Sequence, residues 1–268
     1  MPPSRPPTSR VALAGFFGGG LSGLFGVGGG IVMVPLFVLW LGLGQKRAIT
    51  TSLVAIIPIS ILGTLGYALG DDVDWWLAIA LGAGSIVGGQ VGVRLLPRIP
   101  VVALQVSFAA LLLYSAYRLA FPAEIAETDL PPDVGIWLIL IVGAVAGILA
   151  ALLGVGGGII LVPAMVLISG LDINTARGTS LMVVIITAAT ATISNIRAQR
   201  TDTRVGVVAG VVGAPAALVA AIVAQWIPER QAALLFAGLM VVAAVQLLVR
   251  AVRRRDGSEP ADAEATSA

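Results

Sequence analysis

The sequence predicts an all-α polytopic membrane protein made of two inverted repeats, each a Gly-broken helical hairpin followed by three transmembrane helices. Composition, an internal repeat and the distribution of Lys and Arg predict this fold class. Hydrophobic residues make up 58% of the 268-residue chain and charged residues 11%, whereas soluble domains carry about 25% charged residues. The apolar runs recur from Val11 to Val249 without alternation, which favours membrane-spanning helices over a β-barrel.

The two halves of the chain align without a gap when the sequence is shifted by 128 positions. The shift superimposes the stretch GVGGGI beginning at Gly26 on the one beginning at Gly154, and Thr51-Ser52-Leu53 on Thr179-Ser180-Leu181. A register that preserves Gly, Thr and Ser together indicates an internal duplication rather than a chance match of apolar residues.

The duplication divides the chain into five segments. We expect a cytoplasmic N-terminal tail (1–10), transmembrane repeat 1 (11–120), an external linker (121–134), transmembrane repeat 2 (135–250) and a disordered cytoplasmic C-terminal tail (251–268). The ordinary spans are expected at about 48–69, 75–96 and 101–120 in the first half and at about 176–196, 205–226 and 231–249 in the second.

The first segment of each half is too long for one span. Val11 to Gly44 comprises 34 residues without a charge, which as one helix would extend about 51 Å across a hydrocarbon core of about 30 Å. The segment must therefore break, and the glycine run is where a helix breaks most easily. Whether the two arms span fully or re-enter is left open.

The positions of Lys and Arg support a hairpin. If each long segment folds back on itself, 13 of the 16 Lys and Arg residues lie on the side of the two termini, whereas a single crossing leaves 10 there. The positive-inside rule then places both termini in the cytoplasm and the protein in the cell (plasma or inner) membrane. Arg177 is among the three residues on the opposite side. The hairpin gives each half an odd number of crossings, so the second half is inverted, as in many secondary transporters.

Each glycine run precedes an apolar arm whose N-terminus should lie deep in the membrane. Helix N-termini present free N–H groups and a partial positive charge, and consecutive glycines allow a concave nest of N–H donors. Two such ends meeting near the midplane would bind an anion without any buried Lys or Arg. The candidate residues of this kind are Gly28, Gly29, Gly30, Ile31, Gly156, Gly157, Gly158 and Ile159.

Hydroxyl and amide side chains follow on the next span of each half and could donate to an oxyanion. The candidates are Thr51, Ser52, Thr179, Ser180 and Asn195. Two other interpretations stay open: glycines can serve only close helix packing, and membrane Ser and Thr can bond their own backbone.

Other function classes find little support in the composition. The chain has no Cys and no His, so we expect no metal site, no cofactor and no catalytic residues. An intramembrane enzyme would need paired acids, a Ser–His pair or a metal cluster within the spans. The formal net charge of +2 does not indicate nucleic acid as a partner, because the arginines lie in short loops between apolar runs.

The duplicated motif Gly-Val-Gly-Gly-Gly-x-x-x-Val-Pro, followed in each half by Thr-Ser-Leu, resembles the TauE/SafE family of sulfite exporters, also called TSUP permeases. The motif falls on Gly26–Pro35 and Gly154–Pro163, and the hydroxyl motif on Thr51-Ser52 and Thr179-Ser180. Other members have Gly before Thr-Ser in both halves, whereas this chain has Thr50 in the first. The resemblance implies transport of sulfite, sulfonates or related small sulfur anions.

We therefore expect a secondary transporter of small, sulfur-containing anions that works by alternating access, with a passive anion channel as the alternative. The expected partners are a small inorganic or organic sulfur oxyanion and the lipid bilayer, and a homodimer is compatible with the sequence.

Overall fold

A computed structural model describes residues 7–95, 101–121, 132–153, 156–197 and 201–255. These residues form ten α-helices and no strand. The helices are α1 (Thr8–Phe25), α2 (Gly30–Leu41), α3 (Gln45–Ala68), α4 (Trp75–Leu95), α5 (Val101–Ala120), α6 (Pro132–Leu153), α7 (Gly158–Ser169), α8 (Ile173–Arg197), α9 (Thr203–Ala224) and α10 (Glu229–Arg255). The predicted all-α class is confirmed for this part of the chain.

Parts of several predicted segments lie outside the described residues. These are positions 1–6 of the N-terminal tail, 96–100 of repeat 1, 122–131 of the linker, Gly154 and Val155 of the second motif, 198–200 of repeat 2, and 256–268 of the C-terminal tail.

The long apolar segment of each half is broken at its glycine run, as predicted. In the first half α1 ends at Phe25 and α2 begins at Gly30, and in the second α6 ends at Leu153 and α7 begins at Gly158. The two short helices α2 and α7 are 12 residues long each. Such a helix extends about 18 Å, well short of a hydrocarbon core about 30 Å thick.

The helix bounds repeat along the chain with the offset seen in the sequence. The starts of α2, α3, α4 and α5 are each 128 residues before the starts of α7, α8, α9 and α10. The duplication therefore extends from residue types to the lengths and spacing of the helices.

The helices fall into two compact units, of which the larger contains both glycine runs. The first unit is Met1–Arg94 with Ala126–Ala232, and the second is Leu95–Ile125 with Ala233–Ala268. The second unit contains α5 and most of α10. Within it, α5 has a buried stripe at helical spacing, made of Ala109, Leu112, Ala116 and Leu119.

In the first unit, helix α1 packs on α9 with almost no side chain between them. A Cβ placed on Gly15, Gly19 or Gly23 would overlap the backbone of Ala209, Gly213 or Ala217, respectively. Because these contacts advance in the same sense along both helices, α1 and α9 run in the same direction. Small residues at such a seam let two helices approach closely, which is a common way of packing helices in membranes.

The same seam recurs with the halves exchanged. A Cβ on Gly143 or Gly147 of α6 would overlap the backbone of Leu81 or Ser85 of α4. These are the positions equivalent to Gly15, Gly19, Ala209 and Gly213 under the 128-residue shift. Each half thus packs its first helix against the fourth helix of the other half.

Several helices have the length and composition of membrane spans. Within the described residues, four windows satisfy both conditions: Arg47–Ala68, Ile173–Ile193, Thr203–Ala224 and Glu229–Val249. Their hydropathy and length match what a bilayer requires of a spanning helix.

Candidate functional site

The two glycine runs adopt the same backbone conformation. The φ angles of Gly28 and Gly29 are 82° and 73°, and those of Gly156 and Gly157 are 82° and 84°. This left-handed region costs glycine little and is unfavourable for residues that carry a Cβ. The GGG stretch is therefore needed to end one helix and restart the chain in a new direction within a few residues.

The two breaks lie against each other in the interior of the first unit. A Cβ on Gly158 would lie 2.7 Å from the carbonyl oxygen of Gly26 and 2.8 Å from the Cα of Val27. Gly26, Val27 and Gly158 are all buried. The first residue of α7 thus touches the end of α1, although 132 positions separate Gly26 from Gly158 in the sequence.

The helices that start at the breaks leave N–H groups without an intrahelical acceptor. The first bonds of α2 run from Val32 and Met33 to the carbonyl of Gly29, and those of α7 from Ile160 and Leu161 to the carbonyl of Gly157. The N–H groups of the first two residues of each helix therefore have no acceptor within the helix. These residues are Gly30 and Ile31 in α2, and Gly158 and Ile159 in α7. They occupy the positive end of each helix dipole.

The serine of the second hydroxyl motif reaches the break of the first half. Ser180 Oγ donates to the carbonyl oxygen of Gly26 over 2.8 Å. Its counterpart Ser52 is also fully buried and donates to the carbonyl of Ile49 in its own helix over 2.8 Å. Of the predicted site residues, the structure thus brings Ser180 and Gly158 together at the first break.

The threonines of the same motifs connect the two halves at other points. Thr51 Oγ1 accepts the backbone N–H of Asp202 over 3.0 Å, and Thr179 Oγ1 accepts that of Asp74 over 2.9 Å. Asp74 and Asp202 in turn accept the N–H groups of Leu77 and Val205 with their carboxylates. The two arrangements are equivalent under the 128-residue shift.

Several other polar side chains of α3 and α8 fall into two groups. Thr187 and Asn195 donate to carbonyls of their own helix, over 2.7 Å and 2.9 Å. Asn195 lies 15 residues beyond Ser180, about 22 Å along the helix axis, and does not join the break. By contrast, the buried hydroxyls of Ser60, Thr64 and Thr192 have no hydrogen-bond partner among the described residues.

A buried arginine stands next to the first break. Sequence analysis counted Arg177 among the charges at the membrane surface, but the structure places it in the first turns of α8 with 1% of its surface exposed. A Cβ on Gly26 would lie 2.6 Å from the Cα of Arg177. The sequence offered one indication that Arg177 is buried: the equivalent residue in the first half is the apolar Ile49.

The loop before α4 carries an aspartate, Asp72, whose pKa differs from its ordinary value. Partial burial raises the pKa of the Asp72 carboxyl above its usual value, and the nearby carboxylates of Asp172 and Asp71 raise it further. Both effects disfavour the ionised form.

A buried pair of broken helices, enclosed by apolar helices of spanning length, defines a multi-pass membrane protein of the α-helical class. The sequence matches the family described as "Sulfite exporter TauE/SafE" over residues 1–119 and 139–267. The chain belongs to the TauE/SafE family.

Curated relatives with related sequences carry general names. A "Probable membrane transporter protein" from Xylella fastidiosa (strain 9a5c) is 38% identical over 91 residues, which cover 34% of each chain. YunE, a protein of the same description from Bacillus subtilis (strain 168), is 39% identical over 82 residues, or 31% of this chain and 30% of the relative.

A longer match is found with a less similar relative. The "Probable membrane transporter protein MJ0441" of Methanocaldococcus jannaschii is 29% identical over 164 residues, or 57% of this chain and 59% of the relative. The matched segment thus covers about a third of the first relatives and 59% of this one. No solved structure matches the chain.

Proposed function

We propose that the protein is a secondary transporter that carries small sulfur-containing oxyanions, such as sulfite or a sulfonate, across the cell membrane by alternating access. The observation that carries this proposal is the contact between the two glycine breaks, where Gly158 meets the backbone of Gly26 and Val27. Irregular backbone at membrane depth is tolerated only where it is buried in protein or lines a cavity.

The donors for the anion are the backbone N–H groups at the starts of α2 and α7. Gly30 and Ile31 contribute one pair and Gly158 and Ile159 the other. Each pair lies at the positive end of a helix. Ser180 Oγ is near enough to contact a bound anion, but its proton is held by Gly26, so its role is to fix the geometry of the break.

Alternating access follows from the symmetry of the two halves. Each half contributes one broken helix to the centre, and each half packs its first helix on the fourth helix of the other half. We propose that the repeats are inverted, with both termini cytoplasmic, so that rocking one half against the other opens the centre to either face in turn.

The substrate class rests on the family. Its description names sulfite, a small oxyanion of the kind that backbone N–H groups at helix N-termini can bind. A passive anion channel would instead be open to both faces at once, and the transport assay distinguishes it from a carrier.

The deciding experiment measures sulfite flux into liposomes containing the purified protein. We compare the wild type with Gly158→Ala, whose added Cβ must displace the first break, and with Gly20→Ala, which meets no atom within 4 Å. Gly158→Ala should lose at least about tenfold of the flux, and Gly20→Ala should keep it.

Equal sulfite flux in Gly158→Ala and in the wild type would show that the glycine breaks are not part of the transport path. Counterflow, in which unlabelled sulfite inside the liposome accelerates entry of labelled sulfite, identifies a carrier. Flux that rises linearly with sulfite and shows no counterflow identifies the channel instead.

A further inference from the structure

Arg177 is a permanent charge enclosed by protein. Among the described residues it is the one charged side chain that is buried, and it is also the largest of the fully buried side chains. A guanidinium does not lose its proton in proteins. Burying an ion is unfavourable unless a counter-ion and hydrogen bonds compensate for the lost water.

The partners of Arg177 do not include a carboxylate. Nη2 donates to the carbonyl of Ala232 over 3.0 Å, Nη1 lies 3.5 Å from Oδ1 of Asn174, and Nε has no acceptor. The one ion pair formed among the described residues joins Arg47 to Asp202. Asp172, the nearest acid in the sequence, accepts the N–H groups of Asn174 and Thr175 instead.

A buried tyrosine lies beside the guanidinium. Tyr67 is fully buried and within electrostatic reach of Arg177. Its hydroxyl donates to the carbonyl of Gly23 over 2.8 Å, in the last turn of α1. Arg177 and Tyr67 thus bracket the end of α1 just before the first glycine break.

The position on α8 adds to the positive potential. Arg177 occupies the N-terminal part of a 25-residue helix, where the helix dipole is already positive and a cation is disfavoured. Ser180 is three residues further along the same face and contacts Gly26. A positive residue, a positive helix end and a break with free N–H groups therefore occur together.

We propose that Arg177 is the charge-selecting residue of the anion path, with its Nε–H as the donor of an oxyanion subsite next to the first break. This rests on the proposed function and deepens it, because it assigns selectivity for anions to one side chain. The missing counter-ion is the transported anion. The equivalent position in the second half is Ile49, so the subsite belongs to one side of the centre only.

The test uses purified full-length protein with Arg177→Gln, Arg177→Lys and the control Arg204→Gln. Arg204 is the second residue of α9 and is exposed. Two quantities are measured: the melting temperature in detergent with and without sodium sulfite at constant ionic strength, and the KM and maximal rate of sulfite uptake into liposomes.

We expect Arg177→Gln to abolish the sulfite-induced rise in melting temperature and to lower uptake at least tenfold. Its melting temperature without sulfite should equal or exceed that of the wild type, because an uncompensated buried charge has been removed. Arg177→Lys should fold and keep a charge, with KM raised several-fold, and Arg204→Gln should behave as wild type.

The outcomes separate the inference from the proposed function. If the wild type carries sulfite and Arg177→Gln carries it equally well, Arg177 is not part of the path, while the proposed transport stands. A lower melting temperature in Arg177→Gln together with an unchanged sulfite response gives Arg177 a structural role only. If Arg177→Gln does not fold, the KM of Arg177→Lys decides, and an unchanged KM overturns the inference. If the wild type carries no sulfite, the proposed function fails, and the sulfite-induced shift alone then tests the subsite.

Discussion

Two threonines, one from each half, each accept a backbone N–H from the other half. Thr51 accepts from Asp202 and Thr179 from Asp74, and both hydroxyls are fully buried. Sequence analysis identified both threonines as part of a repeated motif and assigned them to the anion site. Their bonds to the aspartates could not be predicted, because they depend on which helices meet across the two halves.

Replacing either threonine by valine should destabilise the protein. Valine preserves the shape but leaves the N–H of Asp202 or Asp74 without its acceptor, at a cost of about 1–3 kcal/mol. Thermal unfolding in detergent should show a lower midpoint for Thr51→Val and for Thr179→Val. The matched serine variants keep the oxygen and should unfold near the wild-type temperature; equal midpoints for Val and Ser would exclude the hydrogen bond as the cause.

Asp72 makes stability depend on pH. Its folded pKa lies above the ordinary value of 3.8 because of partial burial and the carboxylates of Asp172 and Asp71. Between those two values the unfolded chain has lost the proton and the folded chain retains it. The contribution of Asp72 is therefore fully present below 3.8 and is lost as the pH rises through the folded pKa.

The variant Asp72→Asn removes this titration. Relative to Asp72→Asn, the wild type should lose stability as the pH rises through this window. At neutral pH the variant should melt at the same or a higher temperature. Melting curves of both proteins across the acidic range measure the difference, and a difference that does not vary with pH would contradict the assignment.

At the scale of helices, the sequence was most informative about structure where an apolar segment was too long to be one membrane span. A 34-residue apolar segment cannot cross a bilayer as one straight helix, so the break between α1 and α2 could be predicted along with its position. The burial of Arg177 could not. The stretch LDINTAR is polar and is typical of a loop, whereas in the structure the guanidinium is covered by distant parts of the chain, such as the start of α10, where the carbonyl of Ala232 accepts from Arg177.

The breaks should tolerate alanine poorly even where an added Cβ would not overlap the backbone outright. At Gly157 a Cβ would lie 3.3 Å from the carbonyl oxygen of Ala146 and from the Cβ of Ala150, a tight fit, and φ is 84°. Forcing a residue with a Cβ into this region costs about 1–2 kcal/mol, so Gly157→Ala should lower the midpoint of unfolding. Gly20→Ala, in the helical part of α1, should match or exceed the wild type; similar losses in both variants would contradict a conformational origin.

For the whole molecule, the repeat was visible in the sequence because it has no gap, and its offset matches the helix starts of the structure. The inversion is a prediction from counting charges and crossings, and it is directly testable. The chain has no cysteine, so single-cysteine variants can be labelled without background.

Equivalent loop positions should lie on opposite faces of the membrane. Gly44 and Asp172 are 128 residues apart and both are exposed. In sealed, right-side-out vesicles an impermeant maleimide should label Asp172→Cys and leave Gly44→Cys unlabelled until the membrane is opened. Labelling of both from the same side would rule out inverted repeats.

The glycine seams also bear on how the two halves assemble. In each half, the glycine seam of the first helix is covered by a helix of the other half. Helix α9 covers Gly15, Gly19 and Gly23 of α1, and α4 covers Gly143 and Gly147 of α6. A half expressed alone would leave its glycine seam uncovered, and under the proposed inversion a second copy inserted in the opposite sense would cover it. Two half-length polypeptides made together should accordingly reassemble, as an antiparallel pair of separate chains would.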